Sequence, residues 1–108
     1  HWLIVSGGDQ AELRQIFETR GLAHYFDGGI FGSPDTKDEI LAREIAGANI
    51  VKPSLFLGDS KLDHQVAERH DIDFIFVHGW TDLSDWTAYS ETHGLFTVRS
   101  PIDLLLTV

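Results

Sequence analysis

Five short apolar runs recur along the chain, each rich in β-branched or aromatic residues or continuously apolar. Runs of this length predict strands that are buried on both faces of a sheet. The predicted strands are Trp2–Val5, Gly29–Phe31, Ser54–Leu57, Phe74–Val77 and Leu95–Val98.

Between these runs, helix-start signals precede apolar residues at helical spacing. A short polar residue followed three positions later by an acidic one is typical of a helix N-terminus. Three pairs have this form: Asp9 with Glu12, Thr36 with Glu39, and Ser60 with Asp63. A fourth helix is predicted within residues 82–89, and a short C-terminal one starts at Ser100 with Pro101 in its first position.

The alternation of strands and helices predicts the fold class. Strand, helix and strand at this spacing imply right-handed crossovers and a mostly parallel sheet. We therefore expect an α/β, three-layer Rossmann-like domain, and 108 residues make one domain at most.

Composition narrows the function classes. The formal net charge is −9, with 17 acidic against 8 basic residues, so the surface repels a nucleic-acid backbone. No apolar run has the length of a membrane span. The chain has no cysteine, which excludes a disulfide scaffold and thiol catalysis and fits a cytoplasmic protein. The chain contains no Met and opens directly on an apolar run, so we expect a fragment whose N-terminal part is missing.

The first candidate site is Ser6-Gly7-Gly8, directly after an apolar run. A hydroxyl and free backbone N–H groups before a helix suit a phosphate or carboxylate. Ordinary turn chemistry explains the same residues, with Gly for backbone freedom and Ser for local hydrogen bonds.

The second candidate is Lys37, the first helical residue if Thr36 is the N-cap. A cation at the positive end of the helix dipole is misplaced by about 0.3–1 kcal/mol unless it faces an anion. The alternative is a solvated lysine whose long side chain swings clear.

The third candidate is the pair Asp59 and Asp63, which follows Leu57-Gly58 at a strand end. Residues four apart share a helix face, so both carboxylates can point into the crevice above the strand. Carboxylate oxygens are ligands of Mg²⁺. Asp63 also pairs with Ser60 in the helix-start pattern described above, which is called a capping box. This role explains an acidic residue at position 63 without a metal.

The order of these three sites resembles the haloacid dehalogenase superfamily. That family carries its site residues on successive strand–helix units. They are, in order, a Ser at a strand end, a Lys at a helix start, and an Asp at a strand end with a second Asp four residues later. The segment 20–27, Arg-Gly-Leu-Ala-His-Tyr-Phe-Asp, also resembles the family pattern between the second and third motifs. The resemblance covers nearly the whole chain and implies that residues 1–108 are the C-terminal part of a single core domain. Only 30 residues lie between Ser6 and Lys37, too few for a cap domain to be inserted there.

The resemblance implies a Mg²⁺-dependent phosphoester hydrolase acting on a small phosphorylated substrate. Ser6 and the Gly7 amide would bind phosphoryl oxygens, and Lys37 would bridge nucleophile and phosphate. Asp59, with Asp63, would hold the metal.

One departure from the family pattern limits this expectation. The family's first motif, a strand ending in Asp-x-Asp, supplies the nucleophile and the general acid from the middle of the sheet. No such motif precedes Ser6, and Asp71-Ile72-Asp73 lies between a helix and a strand, at the wrong edge. We therefore expect a sheet that lacks its central strand and a chain that is inactive alone. Either the missing segment or a second chain fills the gap, or the strands before Ser6 and Asp59 pair directly.

Two other classes remain open. A non-catalytic domain of the same fold would bind a partner or an anion. A phosphoacceptor receiver domain also places Asp, Ser or Thr and Lys at strand ends, but there the acidic residues come first in the sequence. We interpret most of the six histidines as surface residues. Trp80 follows the strand Phe74–Val77 and is placed to reach the mouth of the site, but we interpret it as a partly buried packing residue.

Overall fold

The computed structural model describes residues 1–103, and these form an α/β protein with parallel strands. Within residues 1–103, five strands alternate with four complete α-helices. The strands are β1 (Leu3–Asp9), β2 (Gly29–Ser33), β3 (Leu55–Gly58), β4 (Asp73–Val77) and β5 (Phe96–Val98). The helices are α1 (Gln10–Thr19), α2 (Lys37–Ala46), α3 (Lys61–Arg69) and α4 (Trp86–His93). The predicted α/β class and parallel pairing are therefore confirmed.

The strands form two sheets, β1–β2 and β3–β4–β5, and the chain divides into two compact units, His1–Val51 and Lys52–Val108. One of the two expected arrangements paired the strands before Ser6 and Asp59 directly. That pairing does not occur among the described residues. The expectation of a single domain stays a prediction.

In the first unit, α1 and α2 pack against the two-stranded sheet. Ile30 of β2 is buried, as are Ile40 and Leu41 of α2. The predicted capping box at α2 is confirmed, because the Thr36 hydroxyl accepts the Glu39 N–H and the Glu39 carboxylate accepts the Thr36 N–H. These bonds satisfy N–H groups that the first turn of a helix leaves without partners.

In the second unit, α3 and α4 both contact one face of the three-stranded sheet. The His64 ring of α3 lies 5.4 Å from Phe74, and the Tyr89 ring of α4 lies 6.4 Å from Phe76. Since alternate residues of a strand share a face, both helices cover the same side of β4. On the opposite face, Phe96 remains 80% exposed.

Helix α4 begins and ends four residues later than expected. The predicted helix spanned residues 82–89, but the observed one spans Trp86–His93. The Thr81 hydroxyl accepts the Leu83 N–H and holds the preceding segment in a loop. At the other end, Gly94 adopts a left-handed conformation with φ 64°, which ends the helix. The predicted C-terminal helix from Ser100 falls largely on residues 104–108, outside the described part of the chain.

Candidate functional site

Ser6, Gly7 and Gly8 lie within β1, in an irregular part of the strand that the sequence did not predict. Val5 pairs with Phe31 and the next pair is Asp9 with Ser33, so three residues of β1 stand opposite one residue of β2. Such a bulge bends the strand and changes the direction of its side chains. It brings the chain directly to Asp9, whose carboxylate accepts the Glu12 N–H as the N-cap of α1.

The hydroxyl of Ser6 takes part in the local hydrogen bonds of this bulge. Its Oγ accepts the Gly8 N–H at 3.1 Å. The Ser33 hydroxyl donates to the Gly7 carbonyl at 2.8 Å, which ties the bulge to the end of β2. The Ser6 hydroxyl thus has the turn role named above, and its proposed phosphate role stays a prediction.

Lys37 is the first residue of α2, directly after the N-cap Thr36, as predicted. Its side chain is half-buried rather than fully solvated. The first turn also carries Asp38 and Glu39, which are favourable at the positive end of the helix dipole. Lys37 follows the carboxyl end of β2, and Ser6 begins the irregular carboxyl-terminal part of the parallel strand β1. Both residues therefore belong to the same edge of this sheet.

Asp59 and Asp63 are brought together at the junction of β3 and α3. The Asp63 carboxylate oxygen Oδ2 accepts the Asp59 N–H at 3.2 Å, and Asp63 is only 3% exposed. Asp59 itself is half-buried, and its carbonyl accepts the Thr81 hydroxyl at 2.5 Å. The sequence correctly placed both carboxylates at one strand end.

The predicted capping box at α3 forms in one direction only. Ser60 Oγ accepts the Asp63 N–H at 3.1 Å, but the Asp63 carboxylate reaches the N–H of Asp59 instead of closing the box on Ser60. Gly58 permits this, since a Cβ atom there would lie 2.5 Å from the Cβ of Asp63. Asp63 therefore fixes the backbone at Asp59.

The donor set at this junction fits Mg²⁺ in kind. Two carboxylates supply hard oxygen ligands, and Mg²⁺ in proteins commonly takes one or two carboxylates, with water and phosphate completing its shell. Among residues 1–103, no group of three or more His, Asp or Glu side chains is arranged to hold a metal ion. Asp59 and Asp63 would hold the ion together with ligands from outside this pair.

His64 differs from the expectation that most histidines lie at the surface. It is 5% exposed, and its Nδ1 lies 2.6 Å from the Tyr89 hydroxyl. Burial lowers the pKa of His64 below its ordinary value, against the opposing effect of Glu68. Burial also raises the pKa of the Tyr89 hydroxyl. This pair links α3 to α4 beside the Asp59–Asp63 junction.

Trp80 is the residue that sequence reasoning interpreted wrongly. It is 67% exposed, not partly buried, and lies in a single turn of 3₁₀ helix, His78–Trp80, that follows β4. A signal for its position was present in the sequence, because His78-Gly79-Trp80 places an aromatic residue just beyond a predicted strand end. Hydrophobicity alone does not tell whether such a ring packs or faces solvent.

Comparison of the chain with protein-family models, with curated proteins and with solved structures finds no match in any of the three. No helix within the described part of the chain is long and apolar enough to cross a membrane.

Proposed function

We propose that the chain is the phosphate- and magnesium-binding part of a phosphoester hydrolase of the haloacid dehalogenase type. The three-layer arrangement, the missing central strand and a cytoplasmic location are parts of the same proposal. The observation that carries it is the junction of β3 and α3. There a buried carboxylate fixes the backbone of a second, half-buried carboxylate at the carboxyl end of a parallel strand. Ligands of α/β proteins bind at that end of the strands.

Each candidate residue has a defined task in this proposal. Asp59 is the principal ligand of Mg²⁺, and Asp63 contributes a second oxygen while it holds the Asp59 backbone in place. Ser6 and the Gly7 amide bind phosphoryl oxygens. Lys37 stabilises the negative charge that is shared between the phosphoryl group and its attacking carboxylate.

The metal supplies charge neutralisation at the phosphoryl oxygens when it is bound. The attacking carboxylate itself must come from a strand ending in Asp-x-Asp outside these 108 residues, either in a longer polypeptide or in a second chain. That strand would fill the centre of the sheet. The substrate is a small phosphorylated molecule.

A direct test is titration of Mg²⁺ onto the 108-residue chain by calorimetry. We expect one saturable site in the wild-type protein, its loss in Asp59→Asn, and weaker binding in Asp63→Asn. Asp73→Asn is the matched control, since Asp73 is an exposed carboxylate at the opposite end of the neighbouring strand β4. This control should bind Mg²⁺ as the wild-type protein does.

The alternative is a non-catalytic domain of the same fold. It is favoured by the hydrogen bond from Asp59 N–H to Asp63, because that bond gives Asp63 a structural role that needs no metal. Equal Mg²⁺ binding by the wild-type protein, Asp59→Asn and Asp73→Asn would support this alternative and contradict the hydrolase proposal.

A further inference from the structure

Three residues with ligand-binding chemistry follow the three strands of the second unit. Asp59 comes directly after β3, Trp80 three residues after β4, and Arg99 directly after β5. The strands are parallel and adjacent, so these positions lie at one edge of the sheet. That edge therefore carries a carboxylate, an exposed aromatic ring and an exposed guanidinium.

The turn that carries Trp80 is fixed on both sides. Before it, the Gly79 N–H donates to the Arg99 carbonyl at 2.8 Å, and the His78 ring stacks on Trp86 with centroids 4.1 Å apart and planes 1° from parallel. After it, the Thr81 hydroxyl donates to the Asp59 carbonyl at 2.5 Å.

Gly79 is required for this close approach. A Cβ atom at that position would overlap the Arg99 carbonyl oxygen, so a residue with a side chain would push the turn away from β5. The hydrogen bond to Thr81 ties the same turn to the residue proposed to hold Mg²⁺. Trp80 is thus held between two anchored neighbours at the edge of the candidate site.

The exposure of Trp80 has no packing explanation. Its ring is 67% exposed although the residues on each side are hydrogen-bonded. An exposed indole on an anchored turn offers a flat face to another planar ring, and base–aromatic stacking uses that face.

The net negative charge of the protein restricts where an anionic ligand can bind. At a net charge of −9, the surface as a whole repels phosphate. A phosphate ester is therefore held only where local positive charge is present. Arg99 supplies such charge beside Gly79, and its side-chain stem runs within 3.4 Å of where a Gly79 Cβ would lie.

We propose that Trp80 and Arg99 bind a phosphomonoester whose leaving group is aromatic. This inference rests on the proposed phosphoester hydrolase and names its substrate class. Trp80 stacks on the planar ring of the ester's alcohol portion, and Arg99 attracts the anionic ester to this edge. The ring is either a nucleobase or the phenyl ring of a phosphotyrosine.

Equilibrium dialysis in the presence of Mg²⁺ tests this proposal with three probes. They are adenosine 5′-monophosphate, free phosphotyrosine and ribose 5-phosphate, which has no aromatic ring. We expect at least one aromatic ester to bind about tenfold more tightly than ribose 5-phosphate, as stacking of one base on an aromatic side chain implies. Which aromatic ester binds identifies the source of the ring.

Variants separate the contribution of stacking from changes that weaken the binding of every ester. Trp80→Leu should remove the preference for the aromatic ester, and Trp80→Tyr should retain most of it. Trp2→Leu is the matched control, since Trp2 is 62% exposed but belongs to the first unit. Arg99→Gln should weaken both ester types by a similar factor. Circular dichroism checks that each variant is folded.

Equal binding of all three probes, or equal losses in Trp80→Leu and Trp2→Leu, would overturn the inference. The Mg²⁺ titration of Asp59→Asn tests the hydrolase proposal independently of the dialysis experiment. An aromatic preference that depends on Trp80 without a Mg²⁺ site would leave this binding surface in place and reject the hydrolase. A Mg²⁺ site without the aromatic preference would support the hydrolase proposal and reject Trp80 as the binding surface for an aromatic ring.

Discussion

At the scale of single residues, burial of His64 is the feature with the clearest consequence for stability. Its ring lies between the Tyr89 hydroxyl, the Glu68 carboxylate at 3.3 Å and the His93 ring at 5.1 Å. Burial is the largest influence on the pKa of His64 and lowers it; the nearby His93 acts in the same direction, and Glu68 opposes both. The folded protein therefore favours neutral His64.

This burial predicts a loss of stability in mild acid. Because the pKa is lower in the folded state, the unfolded chain binds a proton at higher pH than the folded chain does. The stabilising effect is complete above about pH 6.5 and declines as the pH falls below that value. Urea unfolding of the metal-free protein between about pH 5.5 and 7.5 should show this decline.

The variant His64→Gln should reduce the pH dependence, whereas His24→Gln, at an exposed histidine, should preserve it. An unchanged pH dependence in His64→Gln would show that other groups cause it.

At the scale of elements, the β3–α3 junction depends on the absence of a side chain at Gly58. The last residue of β3 packs directly against the Cβ and carboxylate of Asp63. This contact allows Asp63 to reach the Asp59 N–H and sets where the strand ends and the helix begins.

We therefore expect Gly58→Ala to destabilise the protein by about 1–3 kcal/mol, the usual cost of overpacking. It should also weaken Mg²⁺ binding if the proposed site exists, since Asp63 must move. Gly7→Ala is the control, because nothing lies within 4 Å of a Cβ atom at that position. Its unfolding free energy in urea should change by less than about 0.5 kcal/mol. Equal effects of the two substitutions would contradict the role given to Gly58.

At the scale of the whole molecule, the proposed chemistry lacks its nucleophile. No Asp-x-Asp follows an apolar run in these 108 residues, and Asp71-Ile72-Asp73 leads into β4 rather than out of it. A parallel sheet places ligand-binding residues at the carboxyl ends of its strands, so Asp71 and Asp73 lie at the other edge.

We expect no Mg²⁺-dependent hydrolysis of p-nitrophenyl phosphate by the 108-residue chain. Turnover should appear when a strand ending in Asp-x-Asp precedes His1, and Asp59→Asn should abolish it. A colorimetric assay of released p-nitrophenol measures both. Turnover by the 108 residues alone that is lost in Asp59→Asn would show that the nucleophile lies within this chain.

The sequence by itself determined the order and type of the elements, because their signals are local. Apolar runs marked the five strands of the described residues, and the pair Thr36 and Glu39 located the start of α2. The adjacency of Asp59 and Asp63 is also local, although its form differs from the expected shared helix face. Asp59 lies before the N-cap Ser60, and its backbone N–H donates to the Asp63 carboxylate.

The tertiary structure decided what depends on residues far apart in the sequence. The bulge at Ser6 arises from pairing with β2, burial of His64 from packing against α4, and exposure of Trp80 from anchoring of its neighbours to Asp59 and Arg99. Periodicity reports which residues are apolar, but not which surfaces meet. For that reason the sequence located Asp59 and Asp63 at a strand end but misjudged the exposure of Trp80.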